Sequence, residues 1–196
     1  MITPMIPRLV RTPFDREGWF FELKWDGFRC IAEKDRQGVR LYSRNQNDFK
    51  KRFPVIAEQI SALDNVILDG EVCALDDHGH PRFEWLINRG RQRGKLVYYV
   101  FDLLRLGHKD LRAEPLYRRK KLLQKLLKKN DTLRYVDHVE NDGLHLFAGA
   151  LALGLEGILA KDKNSPYIEG PTETWHGQKI KNEQYKRQEK IEFRQR

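Results

Sequence analysis

The sequence predicts an α+β fold with mainly antiparallel sheets. Three observations carry that expectation. Apolar and alternating runs bounded by turn residues suggest many strands with a few helices between them. The strands do not alternate strictly with long helices, which argues against a doubly wound parallel sheet. The 196 residues suffice for one good-sized domain with a real hydrophobic core, or one domain plus a small appendage.

In chain order, a strand is expected at Trp19–Trp25. Alternation puts Trp19, Phe21, Leu23 and Trp25 on one face and Glu22, Lys24 and Asp26 on the other. Gly27 is expected to allow a tight turn into a strand at Phe28–Glu33, with Val39–Ser43 following. After a helix at Phe53–Leu63, Val66–Leu75 reads as an apolar strand carrying Asp69 and Glu71 on one face. Asp76–Pro81 reads as a hairpin turn rather than a metal site, and a helix is expected at Phe83–Arg89. Leu96–Leu104 contains a continuous apolar run suited to a buried strand. In the helix expected at Pro115–Lys129, leucines recur at helical spacing. Its stretch Arg118–Lys129 holds seven positive charges and no acid. A solvated charged face is the favoured reading there, and a phosphate-backbone contact the other. A strand at Leu133–Val136, a helix at Gly143–Leu153 and strands at Gly157–Lys161 and Trp175–Lys181 complete the set. Asn182–Arg196 is polar and charged, and reads as a terminal helix or a frayed tail.

Lys and Arg number 37 against 28 Asp and Glu, a net charge of +9. That balance fits a polyanionic partner, although many soluble domains are basic. Charged residues are 33% and apolar ones 40%, which suits a soluble globular protein rather than a disordered or membrane one. No apolar run reaches the ~18 residues of a membrane span, and the first residues lack the apolar stretch of a signal peptide. Cys30 and Cys73 are the only cysteines, so neither a disulfide framework nor a cysteine zinc site is expected. A reducing cytosol is the simpler setting for them.

Five segments carry chemistry. In Phe20–Arg29, Lys24 is flanked by bulky apolar residues and by acids. A lysine so placed can lose its proton near neutral pH and attack phosphorus. In Val66–Val72, Asp69 and Glu71 sit in an apolar strand, where an acid is costly unless it serves a partner, ligand or metal. Phe101, in Tyr98–Leu104, is either a core residue or a base-stacking platform. Glu156–Lys161 follows a helix. In Trp175–Lys181, alternation pairs Lys179 with Lys181, and two ammonium groups side by side call for an anion such as phosphate. Neither a phosphate loop nor a dinucleotide fingerprint is present, so a nucleotide site must be built from side chains.

In order and spacing these segments resemble the motif series of the covalent nucleotidyltransferases, the superfamily of ATP-dependent DNA ligases, RNA ligases and capping enzymes. Arg11–Asp15, Leu41–Asn45 and Glu114–Lys120 extend the likeness to the ligase module of bacterial ligase D, over roughly residues 8–181. A lone Lys-x-Asp-Gly-x-Arg arises by chance with odds on the order of one in a thousand. Five ordered motifs make coincidence a poor explanation.

The resemblance implies a nucleotidyltransferase (adenylation) domain over residues 1–181: two twisted, mainly antiparallel sheets flanked by helices, ATP-grasp-like, with the nucleotide in the groove between them. Lys24 would attack the α-phosphate of ATP, giving a lysyl-AMP and pyrophosphate, and AMP would then pass to the 5′-phosphate of nicked or broken duplex DNA. Glu22 would accept from the adenine amino group and Phe101 would stack on the ring. Arg29 and Glu71 would hold the ribose side, and Arg44 the nucleotide or the nick phosphate. Lys161, Lys179 and Lys181 would lie near the phosphates, and Trp25 counts among the nucleotide contacts. Asp26 and Glu156, with Glu71 less firmly, would hold Mg²⁺ or Mn²⁺.

Two departures stand out. Gly177-Gln178 lengthens the usual Trp-x-Lys-x-Lys spacing, which unsettles the place of Trp175. A complete ligase also continues into an oligonucleotide-binding (OB) barrel with a sixth motif, for which residues 182–196 are too few. No OB-fold domain is expected here, and full ligation would draw on a barrel removed from this chain or carried by an end-joining partner protein. The remaining expectations are a monomer, no membrane, and a bacterial or archaeal cytoplasm near the nucleoid. The competing readings are an RNA ligase or capping-type guanylyltransferase, and a catalytically silent DNA-binding module. Ser43-Arg44-Asn45 and Glu22 lean toward DNA ligase. The carboxylates argue against mere duplex binding, which needs none of them.

Overall fold

A computed structural model describes residues 1–87, 93–127 and 130–171, and the backbone of 178–181. In chain order the elements are β1 (Arg8–Val10), β2 (Trp19–Leu23), β3 (Phe28–Asp35), β4 (Gly38–Ser43), α1 (Pro54–Ser61), β5 (Val66–Leu75), α2 (Phe83–Ile87), β6 (Lys95–Leu106), β7 (Lys109–Asp110), α3 (Leu116–Leu126), β8 (Leu133–Tyr135), β9 (Val139–Glu140), α4 (Gly143–Ala152), β10 (Gly157–Asp162) and β11 (Gln178–Lys181). The expected helix ends at Arg89 and Lys129, the Trp175 end of the last strand, and the tail 182–196 lie outside the described residues. No helix among the described residues is long and apolar enough to cross a membrane.

The strands form two sheets. One has the order β1-β11-β10-β2-β9. The other has β4-β3-β5-β6-β7, with β8 beside β6. Pairing is antiparallel except at β1/β11 and β6/β8. The α+β class and the mainly antiparallel sheets follow the sequence expectation. β1, β7 and β9 were not expected, because two or three residues carry no readable period. All three are edge segments that form only against a partner strand.

The main core lies between the second sheet and α1, α2 and α3. Ile56 and Ile60 of α1 and Leu123 of α3 pack there on Leu68, Tyr98 and Val100. A second cluster covers the other face, where Ile2, Met5 and Tyr167 pack on Ile31, Ile67 and Leu104. This sheet is therefore buried on both faces, which explains the nearly continuous apolar run of β5. Trp19 and Phe21 of the first sheet pack with Ala150 of α4.

Trp25 leaves that apolar face. β2 ends at Leu23, and the next four residues carry the chain from the first sheet to the second. Trp25 there stacks on Tyr99, 3.7 Å between ring centroids and 8° from parallel, in a different cluster. The role expected of Gly27 also changes. Its φ is not positive, but a Cβ there would lie 2.1 Å from the carbonyl oxygen of Val72. Close approach of backbone, rather than a turn conformation, is what requires glycine. Gly27→Ala is expected to cost about 1–3 kcal/mol, because a backbone oxygen cannot step aside. Urea denaturation would read the loss, and an unchanged midpoint would contradict it.

Two further features shape the cleft between the sheets. Gly70 pairs with Val100 and Asp69 with Asp102, so Phe101 is the extra residue of a β-bulge. The bulge lifts Phe101 out of the plain alternation of β6. On α3, Leu116, Arg119, Lys120 and Leu123 are all buried. The expected solvated charged face is present, with Arg118, Lys121 and Lys125 exposed, but Arg119 and Lys120 turn inward on the leucine stripe.

Candidate active site

Lys24 is placed by backbone pairing. Its N–H donates to the carbonyl of Gly157 at 2.9 Å, the residue that opens β10. This sets Lys24 beside Glu156, and the two side chains form an ion pair at 14% and 4% exposure. On the other edge of β10, Lys181 pairs with Gly157 and Lys179 with Leu159. The Lys24 segment, Glu156–Lys161 and the two late lysines thus ride on three adjacent strands. Register places the last pair near the site.

The second sheet supplies the facing groups. Arg29 pairs in register with Glu71 and makes a two-pronged ion pair with Asp69, both contacts at 2.6 Å. Tyr167 donates to the same Asp69 carboxylate at 2.6 Å. Glu71 is partly buried. Burial pushes its carboxyl up to about 7; Lys24 and Arg29 pull it down, and Glu156 and Asp26 push it further up. Lys24, Asp26, Arg29, Glu71 and Glu156 therefore share one electrostatic neighbourhood.

A pH dependence follows from Glu71. The ordinary value is 4.5, so between pH 4.5 and about 7 the folded protein keeps a proton that the unfolded chain releases. The stabilisation is full below the lower value and lost as pH rises through the upper one. Glu71→Gln is expected to flatten this slope in urea midpoints measured across that window. An equal slope in the variant would refute the assignment.

A cleft of about 370 Å³, open to solvent, lies between the sheets, lined by Arg29 and Phe101 on one side and Leu159 and Lys161 on the other, with Met5 and Tyr167. The Phe101 ring has the Arg29 guanidinium and the Lys161 ammonium each 4.4 Å from its centroid. Lys161 donates to Glu22 Oε2 at 2.6 Å, and Lys120 of α3 donates to Glu22 Oε1 at 2.6 Å. Burial pushes the Glu22 carboxyl up, but the two lysines hold it below its ordinary value.

The structure thus gathers the expected residues into two groups. Lys24, Asp26, Arg29, Glu71 and Glu156 form one. Glu22, Phe101 and Lys161 form the other, joined to the first through Arg29. Lys161 stands at the Phe101 ring and Glu22. One face of Trp25 is taken by Tyr99. Arg44 is exposed in the turn after β4, whose last residue, Ser43, pairs with Cys30. For Lys179 and Lys181 the register alone is described. Asp69, flagged from the sequence as an acid in need of a partner, finds it in Arg29, whereas Arg119, Lys120 and Tyr167 were missed as site-forming groups. The spacing Leu116, Arg119, Lys120, Leu123 puts both cations of α3 on its leucine stripe, a signal that could have found them.

The donors suit a hard cation. Asp26, Glu71 and Glu156 offer carboxylate oxygens, and Glu71 feels the charge of the other two. Among the described residues no group of three or more His, Cys, Asp or Glu could hold a metal by itself. The set fits a magnesium-type ion bound by one or two carboxylates together with substrate phosphates and water.

Residues 4–181 match the family model described as the ATP dependent DNA ligase domain. The chain belongs to this family. The ligase domain is 36% identical over 180 residues to the multifunctional non-homologous end joining protein LigD of Pseudomonas aeruginosa, covering 89% of this chain and 21% of that protein. It is 32% identical over 169 residues to the SPbeta prophage-derived DNA ligase-like protein LigB of Bacillus subtilis, covering 85% and 62%. A mycobacterial DNA ligase D complexed with ATP and MES superposes with TM-score 0.80 at 32% identity, over 92% of this chain and 60% of that one. The Chlorella virus DNA ligase-adenylate shares the fold, with TM-score 0.70 at 17% identity. The ligase domain spans between about a fifth and three fifths of the length of these curated relatives.

Proposed function

We propose that this chain is the adenylation core of an ATP-dependent DNA ligase, with residues 1–181 as the nucleotidyltransferase domain. The observation that carries the reading is the convergence of Lys24, Asp26, Arg29, Glu71 and Glu156 at the crossover between the sheets. A nucleophilic lysine held by one carboxylate, with more acids and an arginine around it, suits phosphoryl transfer by positioning and charge.

Lys24 passes one proton to a neighbouring carboxylate, with Glu156 already in contact, its Nζ lone pair forms a bond to the α-phosphorus, and the nitrogen sheds a second proton to solvent as the P–N bond forms. The bond from that phosphorus to the bridging oxygen breaks, and its electron pair leaves with pyrophosphate. In the second step the 5′-phosphate of nicked or broken duplex DNA attacks the same phosphorus, the P–N bond breaks and Lys24 is freed. Phe101 offers a stacking face for adenine and Glu22 an acceptor for its amino group. Arg29 holds the ribose side, and Lys161, Lys179, Lys181 and Arg44 supply positive charge toward phosphates. Asp26, Glu156 and Glu71 would hold Mg²⁺ or Mn²⁺, which when bound neutralises developing charge on the phosphates. We further infer a monomer acting in end joining in the cytoplasm.

Incubation with α-labelled ATP and Mg²⁺ or Mn²⁺ tests the reading. A covalent label on the protein, stable to denaturing electrophoresis and discharged by pyrophosphate, is expected. No label under any metal, after pyrophosphate has stripped adenylate already present, would sink it. Labelling by GTP instead would favour the capping reading.

A further inference from the structure

The strongest unassigned feature is Lys120. Its side chain is 1% exposed, and the ammonium lies among three groups: Glu22 Oε1 at 2.6 Å, the carbonyl of Val136 at 2.9 Å and the Tyr135 ring at 4.6 Å. A lysine this deep is rare, and its burial costs free energy unless it serves a partner. Its partner is the carboxylate expected to read the purine edge.

We propose that Lys120 is a positioning residue that sets purine specificity, by holding Glu22 as an oriented, acceptor-only carboxylate directly behind Lys161, which lines the cleft. The inference rests on the adenylation reading and adds a residue to it. An ionised carboxylate has about four lone-pair positions and no donor. Lys120 engages one oxygen and Lys161 the other, which fixes the plane of the group. A lone pair remains for a donor on the ligand. The 6-amino group of adenine is such a donor, whereas the 6-oxo group of guanine meets acceptor against acceptor. Lys161 also serves the Phe101 ring, but Lys120 contacts no expected nucleotide group except Glu22. Holding Glu22 charged is therefore its distinct contribution.

Without that ammonium, burial works against the ionised form of Glu22. A protonated carboxyl carries an O–H that can donate to the guanine oxygen. Loss of the charge should therefore relax discrimination rather than merely weaken binding.

The test compares wild type, Lys120→Met and Lys120→Arg. One readout is the ratio of covalent labelling by ATP and GTP. The other is direct calorimetric binding of AMP and GMP, which needs no reaction. Lys120→Met is expected to lower the adenine preference about ten-fold or more in both readouts. Lys120→Arg, which keeps the charge, should restore most of it. Glu22→Gln should relax the preference in the same direction, because its amide carries donors. If Lys120→Met fails to fold, Lys120→Gln, which keeps a hydrogen-bonding head without charge, is read in its place. An unchanged preference in a folded, neutral variant overturns the inference, as does equal loss of AMP and GMP binding. A wild-type protein that neither labels nor binds AMP instead overturns the adenylation reading.

Discussion

Lys24→Ala is expected to lower covalent adenylate formation by about a thousand-fold or more, to background. The reason is chemical rather than steric, since alanine carries no nucleophile to take up the α-phosphorus. Alanine also strips Glu156 of its ion-pair partner, and Glu156 is only 4% exposed. A modest loss of stability, about 1–3 kcal/mol, should accompany the loss of label. Lys24→Arg separates the two effects. The guanidinium keeps a positive charge beside Glu156 but stays protonated, so it is no nucleophile. That variant should unfold near the wild-type midpoint and still take no label. Label surviving in either variant would move the nucleophile to another residue.

Arg119→Met is expected to produce the largest loss of stability. Arg119 is buried on α3 and makes two contacts with Asp102, at 2.7 and 2.9 Å. It also donates to the carbonyl of Ser165 at 3.0 Å. Removing one partner of a buried pair strands the other charge, at about 3–5 kcal/mol. Asp102 keeps only part of its satisfaction, from the N–H of Leu103 at 2.9 Å. Replacing both members, as Arg119→Met with Asp102→Leu, should recover much of the loss, because no stranded charge remains. Asp102 is also the residue after Phe101, so the single variant should weaken nucleotide binding. Urea denaturation reads the first effect and calorimetry with AMP the second. A single variant within about 1 kcal/mol of wild type would show that the pair contributes little.

Most elements and the chemistry-bearing segments were legible because period and chemistry are local. β2, β5 and β6 announce themselves by alternation or by apolar runs, and Lys24, Asp26 and Glu156 by chemical type and order. What stayed hidden depends on partners distant in sequence. Trp25 reads as a continuation of the β2 face, yet the chain has left the sheet by then. Gly27 reads as a turn residue, yet its constraint is the carbonyl of Val72 on another strand. The charges on α3 read as solvated, because a lysine shows its partner only when the fold supplies one.

The sequence by itself determined the longer strands and the helices, the order of the motifs and the residue types for lysine-based phosphoryl transfer. These follow from side-chain chemistry and from the 2.0 and 3.6 periods, which need no tertiary information. Only the tertiary structure decided which acid meets which base. Glu156 meets Lys24 because β10 lies beside β2, and Glu22 meets Lys120 across 98 residues. Phe101 lines the cleft at a bulge that exists only in the pairing of β5 with β6. Charge pairing falls off within a few ångströms in water, so its outcome is set by the packing that brings the groups together.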